Sequence, residues 1–60
     1  MNAETFIKYV EENTLAILKD AGCPLDIIGS IYPPEGSDRF GSVVIYDQDY
    51  NYVTDYVVNV

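Results

Sequence analysis

The tripeptide Gly22-Cys23-Pro24 divides the chain into two stretches whose apolar residues recur with different periods, and this switch restricts the possible folds more than any other feature. Before it, Ala3, Phe6, Ile7, Val10, Ile17, Leu18 and Ala21, with Thr14 in the gap, fall within roughly one third of a helical wheel. The spacing predicts one amphipathic helix from Ala3 to Ala21. Asn2 stands at its N-cap position, Glu4 lies at the positive end of the dipole, and Glu4 and Lys8 have the supportive i,i+4 order. Gly22 supplies the left-handed residue that closes a helix, and Pro24 prevents resumption. At ~1.5 Å per residue this helix is about 28 Å long, which matches strands of about eight residues.

After the break the pattern becomes β-branched and aromatic. Leu25 to Tyr32 reads as a first strand, bounded by the loop Pro33-Pro34-Glu35-Gly36-Ser37-Asp38. Phe40 to Tyr46 and Tyr52 to Val60 read as two more. The short polar connection Asp47-Gln48-Asp49-Tyr50-Asn51 makes the last two an antiparallel hairpin. The expected architecture is α+β: a single domain, residues 1–60, with one N-terminal amphipathic helix packed on a three-stranded antiparallel sheet, in the order αβββ.

One helix covers one face of such a sheet, so the other face should alternate to polar residues. It does so poorly. Val43 and Ile45 oppose Phe40, Val44 and Tyr46, while Val53 and Val57 oppose Tyr52, Tyr56, Val58 and Val60. Asp55 and Asn59 mark the Val53/Val57 side as partly solvated, yet both sides carry more apolar area than contact with water favours. Either this face or the C-terminal strand edge is therefore expected to meet another chain.

Size points the same way. A domain of 60 residues buries only about 60% of the surface its unfolded chain exposes, and small domains of this kind lean on disulfides, metal or self-association. Cys23 is the one cysteine and there is no histidine, so neither an intramolecular disulfide nor a Cys/His zinc site is expected. Homodimerisation is the remaining support, and Val57-Val58-Asn59-Val60 carries no charge that would block edge pairing. No apolar run approaches the ~20 residues that span a bilayer, and Met1-Asn2-Ala3-Glu4 lacks the features of a signal peptide. The expectation is a cytoplasmic protein without membrane partners.

Catalytic chemistry is poorly supplied. Ser30, Ser37 and Ser42 have no histidine partner, and Cys23 follows a helix C-terminus, where the dipole disfavours a thiolate. Glu11 and Glu12 lie off the apolar stripe, on a solvated helix face. No enzyme activity, catalytic residue or cofactor is expected. The spacing Asp47-x-Asp49-x-Asn51-x-x-x-Asp55 matches four ligand positions of a calcium-binding EF-hand loop. However, Tyr52 replaces the glycine of the sharp turn, Val58 replaces the closing glutamate, and the flanks read as strands. The segment is read as a hairpin turn held by Asp and Asn side chains, with no metal.

Ten acidic residues face three basic ones, a net charge of −7, and six tyrosines are threaded through the chain. Glu35, Asp38, Asp47, Asp49 and Asp55 together with Tyr50, Tyr52 and Tyr56 form the candidate partner-binding surface. Carboxylates spaced along a sheet and its loops attract a basic groove, and tyrosine supplies rigid contact area where bases otherwise stack. The same field repels phosphates, so direct nucleic-acid binding is not expected. In these respects the chain resembles the small acidic inhibitors of phages and mobile elements: DNA-mimic antirestriction proteins, anti-CRISPR proteins and inhibitors of uracil-DNA glycosylase. The resemblance lies in size, charge and helix-plus-sheet design and involves no motif. It implies stoichiometric inhibition of a host defence or repair protein through that protein's basic surface, without cofactor or turnover. The alternative is a homodimeric interaction or assembly module that pairs through its C-terminal strand or open sheet face.

Overall fold

The computed structural model describes residues 2–59. Two helices precede a three-stranded antiparallel meander: α1 (Ala3–Glu12), α2 (Thr14–Asp20), β1 (Ile27–Tyr32), β2 (Phe40–Tyr46) and β3 (Tyr52–Asn59), with β2 in the centre of the sheet. This is the expected α+β architecture with two changes of detail. The first strand starts at Ile27 rather than Leu25, because the chain needs Pro24 to Asp26 to turn out of the helix. Val60, expected to extend the last strand, lies outside the described residues.

The larger difference is in the helix, which is broken at Asn13. The apolar stripe is continuous across this point, so wheel analysis cannot detect the break. Its cause is local competition for carbonyl groups: the Asn13 side-chain amide donates to Tyr9 O at 2.8 Å and the Thr14 hydroxyl donates to Val10 O at 2.9 Å. Ser, Thr and Asn side chains that take such bonds bend the helix that carries them. Both ends follow the sequence expectation. Asn2 Oδ1 accepts the Thr5 N–H at 2.8 Å. At the other end Gly22, at φ +79°, donates to Lys19 O and Cys23 N donates to Leu18 O at 2.8 Å, the paired bonds of a Schellman closure.

The two helices cover one sheet face. Phe6, Val10, Ile17 and Leu18 bury themselves against Val43, Ile45 and Val58, with Ile28, Ile31 and Tyr56 packed around this cluster. Phe6 sets the closest approach. A Cβ on Gly41 would lie 2.6 Å from Phe6 Cζ and 2.5 Å from Tyr32 O, so the ring sits on β2 only because position 41 has no side chain.

Register is interrupted twice. In β1 it shifts at Gly29, between Ile28 and Ser30, and the ring of Tyr46 occupies the space that a side chain at 29 would need. In β3 both Tyr52 and Val53 stand against Tyr46, because the pairing Ile45 to Thr54 steps to Tyr46 with Tyr52. Gln48 Nε2 donates to Leu25 O at 2.6 Å, fastening the hairpin turn to the segment that enters β1.

Candidate functional site: the open face of the sheet

Alternation along β2 places Gly41, Val43 and Ile45 under the helices and Phe40, Ser42, Val44 and Tyr46 on the opposite face. Residues paired in register share a face, so the open face consists of transverse rows: Tyr32, Ser42 and Val57; Ser30, Val44 and Asp55; and Ile27, Tyr46 and the Tyr52 bulge. Among the described residues no helix covers these rows. Tyr32, Phe40, Tyr52 and Val57 are each more than half exposed. With β2 rising ~3.3 Å per residue, the strip is roughly 20 Å long.

Carboxylates frame it. At one end Glu35 and Asp38 come from the β1–β2 loop, where Asp38 N donates to Glu35 O at 3.1 Å and Gly36 takes φ +59°. At the other end stand Asp47 and Asp49, and Asp55 lies in the middle row beside Val44. Two of the three basic side chains, Lys8 and Lys19, belong to α1 and α2, on the opposite layer. Arg39 is the one cation next to the open face in sequence.

The turn at the far end is built by Asp47. Its Oδ1 accepts the N–H groups of Asp49 and Asn51, each at 2.9 Å, while Asp47 N donates to Asn51 O and Tyr50 N donates to Asp47 O. The bonds to its carboxylate hold the Asp47 carboxyl below the usual carboxylate range, the Asn51 N–H being the largest cause. The turn also holds Tyr50 at φ +63°, a left-handed conformation uncommon for a bulky residue, with its ring 74% exposed. Such strain, on the order of 1 kcal/mol, persists only where surrounding bonds over-determine it.

Most of the surface read from the sequence is therefore brought together. Glu35, Asp38, Asp47, Asp49, Tyr50, Tyr52 and Asp55 lie on the open face or at its two ends. Tyr56 does not: it pairs with Val43 and packs against the core cluster from the helix side. The acids have unequal roles, since Asp47 closes the turn, whereas Asp55 is an exposed strand residue. Among the described residues no group of three or more Cys, Asp or Glu side chains is placed to hold a metal ion.

The surface read from the sequence did not include Phe40, Ser42 and Val57, which with Tyr32, Pro33, Pro34, Glu35, Asp38 and Gly41 line a groove of about 300 Å³ at the Tyr32 end. The groove follows from size differences along one row. Ser42 is small and stands between the larger Tyr32 and Val57. The signal was the Phe40/Ser42/Val44/Tyr46 alternation, but assigning it to solvent required knowing that the helices cover the other side.

Among the described residues no helix is long and apolar enough to cross a membrane. No family model, curated protein or solved structure matches the chain.

Proposed function

We propose that the protein is a non-enzymatic, stoichiometric inhibitor that docks the open face of its sheet on a basic, nucleic-acid-binding site of a host defence or repair protein, in the host cytoplasm. One observation carries this reading: a strip of aromatic and aliphatic side chains that no helix among the described residues covers, framed by carboxylates at both ends, with both lysines on the far layer. Long-range attraction would come from the acids and short-range anchoring from the rings. Tyr50 and Tyr52 supply rigid rings at one end and Tyr32 and Phe40 at the other.

The two contributions separate kinetically. After a partner is captured from the native host, replacing Asp47, Asp49 and Asp55 together by Asn should slow association at low salt and leave dissociation nearly unchanged. Asn keeps the acceptor oxygen that the turn needs at position 47. Tyr50→Ala or Tyr52→Ala should instead speed dissociation. A triple-Asn variant that associates at the wild-type rate at low salt removes charge-guided docking through this end.

A specific feature favours a second reading, a homodimeric assembly module. The two sheet edges are guarded unequally. β1 is interrupted at Gly29 and runs into Pro33-Pro34, both devices that discourage strand addition. Strand β3 carries one charge, Asp55, and no lysine or proline along Tyr52–Asn59. Antiparallel pairing of two β3 edges about a two-fold axis would extend the sheet to six strands and leave the open faces continuous. Light scattering at micromolar concentration decides this: a mass near 6.7 kDa eliminates the dimer. An apolar strand-mediated dimer should also be insensitive to salt, unlike charge-guided docking.

A further inference from the structure

We infer that the groove at the Tyr32–Phe40 end of the open face receives an arginine side chain presented by a basic segment of the partner protein. This rests on the docking reading above and names the anchor at one end of it.

The groove is apolar in its walls and acidic at its margin. Tyr32 and Phe40, about half exposed, contribute two aromatic rings, Val57 contributes an aliphatic wall, and Pro33-Pro34 stiffens the chain where it leaves β1. Glu35 and Asp38 line the same groove and belong to one tight turn, closed by the Asp38 N–H to Glu35 O bond, so their backbone positions are held rather than left on a loose loop. Arg39 follows that turn but is not a lining residue.

This combination is selective. A volume of about 300 Å³ is at the small end for ligand sites and suits one long side chain. Two carboxylates exclude phosphate and other anions. An uncharged apolar side chain would partly desolvate them without compensation. Among cations, a guanidinium is planar, weakly hydrated and able to stack on a ring while its edge donates to a carboxylate; an ammonium is a strongly hydrated point charge without a stacking plane. Aromatic walls next to carboxylates therefore favour arginine over lysine.

The test is a titration of the ¹⁵N-labelled full chain, at low salt, with a blocked Gly-Arg-Gly tripeptide, with its Gly-Lys-Gly counterpart and with an arginine-rich nonapeptide. The expected result is saturable movement of the Tyr32, Gly41, Ser42 and Val57 amide signals by Gly-Arg-Gly, with a Kd on the order of millimolar, roughly three-fold tighter than for the lysine peptide. The Glu35→Gln/Asp38→Asn variant and, separately, Phe40→Ser should weaken it about ten-fold while amide signals elsewhere in the spectrum stay in place. Equal binding of both tripeptides overturns the guanidinium assignment. Movement centred on Asp47, Asp49 and Asp55 overturns the groove and leaves the docking reading standing. Absence of saturable binding by the tripeptides and the nonapeptide overturns both.

Discussion

The two faces of β2 belong to one strand of seven residues and differ completely in surroundings. Gly41, Val43 and Ile45 are buried, whereas Ser42, Val44 and Tyr46 are half-buried and Phe40 is 51% exposed. Hydrophobicity does not distinguish the sets, since Phe40, Val44 and Tyr46 carry at least as much apolar surface as Val43 and Ile45. The presence of a partner does: α1 and α2 supply one on the first face, and nothing among the described residues supplies one on the second. Apolar residues on the covered face are explained by folding. Those on the open face are not, and they are the apolar surface left for a partner.

Substitutions on the covered face should break the fold, beginning with its largest buried side chain. Phe6→Ala removes a ring with no exposed surface. The expected cost is about 3–5 kcal/mol, against a total stability of about 3–9 kcal/mol for a domain of this size. Urea denaturation should show a large loss of the folded state at room temperature. An unchanged midpoint would mean that this face is not the core.

Next in size is Gly41→Ala, which forces a methyl group against the Phe6 ring and the Tyr32 carbonyl. Overpacking of this kind costs about 1–3 kcal/mol. A second change, Phe6→Leu, should recover part of that loss because only the ring can yield, and a double-mutant cycle measures the recovery. Strictly additive costs would show that Gly41 and Phe6 do not meet.

The comparison is sharpest with one substitution made on each face. Val43→Thr buries a hydroxyl among apolar side chains and should cost about 1–3 kcal/mol. Val57→Thr, at a position 54% exposed, should stay within about 0.5 kcal/mol of the parent. Equal midpoints for the two variants would erase the distinction between the faces.

The smallest effect concerns the acids that frame the open face. Asp47 is depressed by its turn, so its folded pKa lies below its unfolded value. Between the two, the unfolded chain binds the extra proton, and the stabilisation is present above the unfolded carboxylate range and lost as pH falls through the folded pKa. Thermal melts should therefore show a shallower acid limb for Asp47→Asn than for the parent. Asp47→Ala, which also loses the acceptor for the Asp49 and Asn51 N–H groups, should melt lower than Asp47→Asn at neutral pH. An acid limb unchanged by Asp47→Asn would remove the turn from the pH dependence.

Local chemistry was legible where a few adjacent residues decide the outcome. The Asn2 cap, the Gly22 closure, the position of β2 and the start of β3 depend on short-range sterics and hydrogen bonds, and each is found where the residues imply it. The break at Asn13 is also local, yet it was hidden because two polar side chains compete with the backbone without disturbing the apolar stripe. Of the candidate surface, the end acids and Tyr50 and Tyr52 could be read directly. Tyr56 falls on the side of the last strand opposite the one that Asp55 and Asn59 mark as solvated, and it packs against the core cluster, so the alternation already separated it from the other surface residues.

The amino-acid order by itself determined a helical first third followed by three strands, their antiparallel sequence and the excess of apolar residues over what one helical layer can cover. Tertiary structure alone decided which face of β2 the helices cover, how Phe6 came to rest on Gly41, and where a small Ser42 between Tyr32 and Val57 leaves a groove. The reason is that caps, turns and periodicity act over a few residues of chain, whereas burial and grooves arise between residues distant in sequence, whose meeting depends on register and on the side of the sheet that the helices occupy.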